Sequence, residues 1–576
     1  MAELSEDGIR ELAEVLTLFS SCESFVDPYH EQAAQHLKQY KKFQDTKDWP
    51  YANRVHTPDT YAFVEDVVAK YCSPYLESDD FLSCKSLPGD RIDLAPACEA
   101  NINFELRHPR SAFPMEFIDF VRSGAIFGTG FFEAAPNIRV NPMTNLVEMT
   151  HINFRTLDFW DIYPDFDCRR LSHDGRFFFK REIVHMDTLR NAKLFGFPYK
   201  NLDIALETAR TGELPTWHAD VLKEMGLEHE AYDFAPDKGY LEILHYHHDG
   251  QVKQIANRAV VIFDTEDHGG VSPYIYNHPI VDWRFVSQPN EFYGVGIPWI
   301  IRELQEDTNI LLSQRRDNVD LAINAPLKVR KGAGLDINTL VYYPGAIWLV
   351  NDLDADVEQM PAKDVTKTAY VEEDRNQTRM EDALGEHRYT MGRAPQRRET
   401  ATGIMRLQQM SLARHDLGVK GLEYAVARAI GRRVLAYIHM YRSKEHFARV
   451  AGLDVNDEVV TAFFAKPTED VIYGMDFRTT GTTLSQVREQ RANNAQYMWK
   501  MLTGIPPQVA ANNVQPFQID YLATAEHVLR QLEVPNIHRY ILKQTAPAAE
   551  QQQPANGVEG GPTIDEIMAS IGEQNA

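Results

Sequence analysis

Between Pro298 and Ser443 the chain carries two long helical patterns flanking a compact β-like stretch, followed by a third. The second is too polar to stand alone. In the first, Ile300, Ile301, Leu304, Leu311, Leu312, Val319, Ala322 and Ile323 fall close to a 3.6-residue repeat, and Pro326 stops it. A helix over 298–324 is about 40 Å long. Its acids Glu303, Glu306, Asp307, Asp317 and Asp320 gather on the side opposite the apolar stripe. The second pattern, 364–384, sets six acids against three bases and offers chiefly Val365, Ala369, Met380 and Leu384 as apolar residues. Such a helix holds its shape only against neighbours or copies of itself, so the fold must supply them.

The charge then inverts. Within 385–398, Arg388, Arg393, Arg397 and Arg398 face a single acid, Glu386, in a stretch punctuated by Gly385, Gly392 and Pro395. From Glu399 to about Ser443 a third helical pattern runs, with Gly403, Gly418, Gly421 and Gly431 as its weak points. The stretch between the first two helices predicts short strands: Thr339 to Tyr343, a Pro344-Gly345 turn, Ala346 to Val350, and Asp356 to Met360.

Residues 1–125 are expected to be mostly helical, with Leu12, Val15, Leu16 and Phe19, then Phe63, Val67 and Val68, at helical spacing. From about Phe127 to Tyr276, short aromatic and β-branched runs between turn signals predict strands, among them a hairpin of Leu241 to Tyr246 and Val252 to Phe263 with a break at Asn257. Residues 444–545 are again largely helical in pattern, including Ser485 to Met501 and Asp520 to Leu532. Ala546 to Pro562 is a linker in composition, and Thr563 with Glu566 offers a capping box for a last short helix. The fold class is therefore α+β and predominantly helical, in more than one domain.

Composition narrows the function. The formal charge of −24 opposes general binding of polyanions unless a local basic patch exists. Five cysteines, an odd number without a CxxC pair, fit neither a disulfide framework nor a thiolate zinc site, and a reducing cytoplasm is expected. The acidic N-terminal pattern lacks a signal peptide's basic start and unbroken apolar run, so the chain is expected to begin as a mature one. No stretch approaches the roughly 20 apolar residues of a membrane helix.

Few constellations point to catalysis. His245, His247 and Asp249 lie two apart on a strand, a spacing that suits a metal, but a complete ligand set is missing and polar residues of an exposed hairpin are the plainer reading. Gly124, Gly128 and Gly130 lack the Gly-Lys-Ser/Thr of a phosphate-binding loop and are expected to permit a tight turn. Asp158, Asp161, Asp165 and Asp167 lack the spacing of a calcium loop and are expected at a solvated strand edge. No Gly-x-Ser-x-Gly elbow is present. No metal, no cofactor and no enzymatic activity is expected.

The order long helix, β insert, acidic helix, basic loop, very long helix resembles the portal proteins, or head-to-tail connectors, of tailed double-stranded DNA bacteriophages, of the short-tailed type. The segments that carry the resemblance are Gln288 to Pro298 (QPNEFYGVGIP), Leu304 to Asn309 (LQEDTN), Thr400 to Gly403 (TATG) and Phe477 to Gly481 (FRTTG). The resemblance implies a portal fold with residues 1–297 as wing, 298–324 and 364–384 as stem helices, 325–363 as clip, 385–398 as tunnel loop, 399–443 as long wing helix, 444–545 as crown and 546–576 as flexible tail.

It also implies a ring of twelve subunits at one capsid vertex, a channel for genome packaging and ejection. The implied partners are the terminase large subunit, head–tail adaptor or tail proteins, major capsid and scaffolding proteins, and double-stranded DNA held without sequence preference; no membrane is involved. The implied location is the virion, with assembly in the host cytoplasm. Twelve copies would carry about −290 of formal charge, which lets duplex phosphates slide instead of sticking. Arg388, Arg393, Arg397 and Arg398 would then touch passing DNA, or some would pair with stem acids such as Glu381 or Asp382 and lock subunits together. Tyr342, Tyr343 and Trp348 of the clip are expected at a partner or subunit interface, with packing inside the clip as the rival. Competing classes are another ring-forming virion protein, such as an adaptor, and a metal-dependent hydrolase built on His245 and His247.

Overall fold

The computed structural model describes residues 6–43, 51, 53–76, 80–87, 92–140, 147–171, 175–208, 214, 216–228, 234, 238–248, 250–268, 274, 278–323, 327–330, 357–359, 366–386, 413–479 and 525. The first part is helical as the periodicity predicts: α1 (Glu6–Tyr40), α2 (Asp59–Leu76), α3 (Ala95–Leu106) and α4 (Phe113–Phe127). Between α2 and α3 lies a strand the pattern does not predict, β1 (Leu82–Ser86). It pairs antiparallel with the last described strand, β12, Met475–Thr479.

The strand-rich part forms two antiparallel sheets. In the smaller, β2 (Thr129–Val140) runs between β3 (Val147–Leu157) and β9 (Ile280–Arg284). In the larger, β4 (Ile162–Pro164), β5 (Phe177–His185), β6 (Tyr240–His248), β7 (Gln251–Ala256) and β8 (Val260–Asp264) follow one another across the sheet. Three short helices decorate it: α5 (Met186–Leu194), α6 (Leu202–Glu207) and α7 (Trp217–Glu224). The expected break at Asn257 is a turn that splits the run Val252 to Phe263 into two strands. Asn257 and Arg258 both have positive φ, 51° and 56°, and the Ala259 N–H donates to Ala256 O at 3.0 Å. Positive φ at both central residues matches the right-handed twist of the flanking strands.

Period-two alternation lets β2 serve two cores at once. Phe132 and Ala134 face one core with Phe113, Phe117 and Phe120 of α4, while Phe131 faces another with Phe19 of α1 and Phe179 of β5. Likewise Leu244 of β6 joins the α1 core, and Leu241 and Ile243 on the other face pack with α5 and α6. The five cysteines are free and buried in these cores. Burial pushes the Cys22 and Cys72 thiols up to about 12, which leaves them inert.

The long helix α8 spans Ile297–Ile323 and the polar helix α9 spans Thr366–Leu384, close to the predicted bounds. A short antiparallel pair, β10 (Leu327–Val329) with β11 (Val357–Gln359), ties the segment between them. The expected strands at 339–343 and 346–350 lie outside the described residues. Helix α10 is described over 413–441, within the predicted 399–443, and contains a π turn, Glu423–Ala427, just after Gly421. Three short helices follow, α11 (Lys444–Ala451), α12 (Glu458–Ala465) and α13 (Thr468–Tyr473). The N-termini of the first two, at Ser443 and Asp457, carry side-chain caps. The helical patterns at 485–501 and 520–532 fall outside the described residues except at residue 525. Among the described residues no helix is long and apolar enough to cross a membrane.

Candidate assembly and channel elements

The start of α8 is fixed by glycines. Gly128 ends α4 with φ +87°, and a Cβ built on it would lie 2.2 Å from Gly294 O. A Cβ on Gly294 would lie 2.5 Å from Gly128 O, and one on Gly296 would lie 2.3 Å from Ile126 O. The segment Gln288 to Pro298 is thus pressed backbone to backbone against the end of α4, which no side chain at these positions allows. Phe292 and Tyr293 bury their rings beside this contact, and Arg284 donates to Phe292 O. The glycines near residue 128 therefore serve close packing as well as the expected turn: Gly124 makes room for the Trp283 ring and Gly130 for Phe120.

Further along, α8 buries a polar face. Gln305, Thr308, Asn309 and Ser313 are buried alongside Ile301 and Leu312. The extended segment before α2 lies along that face and hangs on it by side-chain bonds. The Asn53 N–H donates to Asp317 Oδ1 at 2.7 Å, the Val55 N–H to Ser313 Oγ at 3.2 Å, and the Thr57 N–H to Asn309 Oδ1 at 3.0 Å. Gln305 Nε2 donates back to Thr57 O at 3.1 Å. Ser313 passes its own proton to Asn309 O at 2.8 Å, so its lone pairs are available to Val55. The spacing works because two extended residues rise about 6.6 Å while four helical residues rise about 6.0 Å. Sequence reasoning misses this ladder; its only signal is the polar i, i+4, i+8 series Gln305, Asn309, Ser313 on the helix.

Helix α9 lies against α8 and buries Asn376, Met380, Glu381 and Leu384, so a neighbour for the polar helix comes from its own chain. Arg315 of α8 pairs with Glu373 of α9 and stacks 4.3 Å from the centroid of the Tyr370 ring. The outer surface of α8 keeps Glu303, Glu306, Asp307 and Asp320 exposed, as the periodicity predicts, whereas Asp317, expected with them, is half-buried and engaged by Asn53. Toward its end Val319, Leu321 and Ile323 are exposed, as are Tyr370 and Val371 near the start of α9.

Where α9 ends, the basic stretch is anchored by its one acid. Glu386 is fully buried, paired with Lys70 of α2, and His415 Nε2 of α10 lies 3.0 Å from its Oε1. Burial alone would raise its pKa, but His415 and Lys70 outweigh that and hold the carboxyl at about 2. Gly418 admits the Tyr71 hydroxyl against α10, and Gly385 turns the chain with φ +74°. Arg388, Arg393, Arg397 and Arg398, and the aromatics Tyr342, Tyr343 and Trp348 expected in a clip, lie outside the described residues.

His247 is buried and His245 half-buried, not exposed as expected, and the metal and catalytic alternatives meet other partners. His245 lies 3.3 Å from Glu182 inside a buried network in which Lys180 bonds Glu133 at 2.6 Å and Arg155 bonds Glu182 at 2.9 Å. His247 stacks on Phe178, rings 4.5 Å apart and 8° from parallel; Asp249 lies outside the described residues. Of the four aspartates only Asp167 is exposed as expected. Asp165 is buried and held by Arg176 at 2.9 Å, and Asp158 bonds His218 at 2.9 Å. Asp161 is pushed up to about 7 by burial and by Asp158. The edge expected to expose the other three is instead covered by other parts of the chain, among them the His218 side chain of α7 beside Asp158, which sequence alone does not place.

Comparison with known proteins supplies the family. The sequence family described as Phage SU10 portal protein matches residues 259–574, which includes α8, α9 and α10. Curated proteins give no match. The match covers more than half of the chain and contains the helix pair, the buried root of the basic stretch and the Gly294 and Gly296 side of the contact that fixes α8, so the chain belongs to the Phage SU10 portal protein family.

Proposed function

We propose that this phage portal protein assembles as a ring of twelve at one capsid vertex and forms the channel for DNA packaging and ejection. In that reading 1–297 is wing, α8 and α9 are the stem, 325–363 the clip, 385–398 the tunnel loop, 399–443 the long wing helix, and 444–545 the crown. The observation that carries it is the α8–α9 pair inside the family match. Its outer face is acidic, and its far end exposes Val319, Leu321, Ile323, Tyr370 and Val371, more apolar surface than a solitary hairpin keeps in water. Packing against a second copy covers those residues and leaves the acids to line a bore that repels phosphates. Arg388, Arg393, Arg397 and Arg398 meet DNA at the constriction, and Tyr342, Tyr343 and Trp348 meet the packaging motor, the tail adaptor or the next subunit.

The ring is a static conduit without nucleotide hydrolysis of its own, and a separate terminase does the work. Capsid and scaffolding proteins place it at the vertex in the host cytoplasm, from which it passes into the virion. Native mass spectrometry of the pure chain tests the reading: rings near twelvefold are expected, and a chain that stays monomeric at high concentration overturns it. Nucleotide hydrolysis by pure rings that a mutation in this chain abolishes would overturn the static role.

A further inference from the structure

On a chain of net charge −24, one face of the wing gathers arginine and histidine side chains. The end of α3 and the turn after it supply His108 and Arg110, β3 supplies His151, and α11 supplies His446 and Arg449. His108 and His151 stack with rings 5.7 Å apart and 12° from parallel. Phe104, 41% exposed, touches both neighbours, with its ring 6.3 Å from His108 and 5.5 Å from His446. We propose that this face binds phosphate groups.

Two arginines on the face are uncompensated. Arg442 is used up inside: Nε donates to Glu105 at 2.8 Å, Nη1 to Met149 O at 2.6 Å and Nη2 to Thr150 O at 3.0 Å. Its bond neutralises the buried Glu105. Arg107 is paired with Asp80. Arg110 and Arg449 are exposed and stand in no ion pair among the described residues. Arg139 of β2 covers the Phe195 ring at 4.5 Å. The other acids at hand are Glu148 on β3, opposite Arg139 in the register, and Glu445 on α11; Lys444 adds a further cation.

The His108 imidazole is set to donate. His108 Nδ1 accepts the Arg110 N–H at 3.3 Å, so in the neutral ring the proton sits on Nε2. Burial first, and then the nearby arginines and histidines, hold His108 and His151 below the ordinary histidine range and His446 at about 4. A bound anion reverses the second cause. Binding therefore strengthens as pH falls, because the occupied site takes up protons that the empty one refuses. Phosphate, with several acceptor oxygens, suits this mixture of arginine and imidazole donors. The assignment belongs to the single chain's surface and holds whether or not rings form.

Two sources share this chemistry, free phosphate and the backbone of duplex DNA, and one experiment separates them. Anisotropy of a labelled duplex of about 20 base pairs is measured on the full chain, with inorganic phosphate or polyglutamate as competitor at fixed ionic strength. The double variant R110Q/R449Q, both positions exposed, is expected to lose about tenfold in duplex affinity and to flatten the salt dependence by about two counterions. Its melting temperature and native mass should match the parent, which keeps this result separate from ring assembly. H108Q/H446Q should remove the gain in affinity on going from about pH 7.5 to about pH 6. Thermal stabilisation by inorganic phosphate that R110Q/R449Q abolishes, without duplex binding, assigns the face to free phosphate. Duplex and phosphate responses equal to the parent's in R110Q/R449Q overturn the proposal, as does displacement by polyglutamate at equal charge.

Discussion

Two buried polar arrangements hold the α8–α9 pair to the body, and they differ in kind. The ladder of Asn53, Val55 and Thr57 on Asp317, Ser313 and Asn309 works through amide and hydroxyl groups at its inner two rungs. The anchor of Glu386 on Lys70 and His415 works through buried charge. A neutral hydrogen bond contributes modestly and costs about 1–3 kcal/mol when one buried partner is removed. Removing one partner of a buried ion pair costs about 3–5 kcal/mol because the other charge is stranded. Position along the chain is thus set by many small contacts, while the root of the basic stretch depends on one large one.

Breaking the charged anchor should have the largest effect. Glu386→Ala strands Lys70 and should lower stability by about 3–5 kcal/mol, seen as a drop in the urea midpoint; a midpoint within error of the parent would show that the anchor carries no weight. A second route is acid. The Glu386 carboxyl is depressed from its ordinary value of 4.5 to about 2, so its contribution is complete above about pH 4.5 and fades as pH falls toward 2. That contribution is about 3 kcal/mol, and comparing acid unfolding of the parent with Glu386→Gln measures it: the variant should show a flatter pH dependence in that window. Gly294→Ala forces a Cβ against Gly128 O and should cost about 2–3 kcal/mol read from the urea midpoint, with Gly421→Ala, which meets nothing within 4 Å, as the control. Asn309→Leu removes the acceptor of the Thr57 N–H for about 1–3 kcal/mol, and its loss should be the same at pH 7 and pH 5. The smallest effect is Tyr370→Ala, which removes the exposed stack on Arg315 for about 0.5–1 kcal/mol.

The same contrast explains what the sequence discloses. The limits of α8 are legible because its apolar residues recur at helical spacing and Pro298 sits at its start. The ladder is not, because Gln305, Asn309 and Ser313 look like solvent-facing positions until an extended segment some 250 residues away in the chain lies on them. Glu386 is visible as the odd acid among arginines, yet Lys70 has no local signal that marks it as the partner. Strand β1 is missed since Ser83 finds Arg478 only across nearly the whole described chain. The run Val252 to Phe263 hides its turn because Asn257 and Arg258 adopt positive φ without a glycine. Gly128 is legible only as a turn, and nothing local shows that it forms one contact with Gly294 and Gly296. The arginines and aromatics assigned to the tunnel and the clip rest on the family resemblance and on their charge and ring chemistry.

The ladder also measures itself. Its two scales, about 6.6 Å per pair of extended residues and about 6.0 Å per four helical residues, behave like a vernier that slips by about 0.6 Å at each step. Over the rungs 53 to 317, 55 to 313 and 57 to 309 the slip stays within the tolerance of a hydrogen bond, and at Asp59 the chain abandons the extended form for α2. A longer track would fall out of step. One residue inserted between Asn53 and Thr57 would turn the donors away from the helix, whereas insertions before residue 51 leave the graduation untouched, so tolerance to changes in length should switch within a few residues.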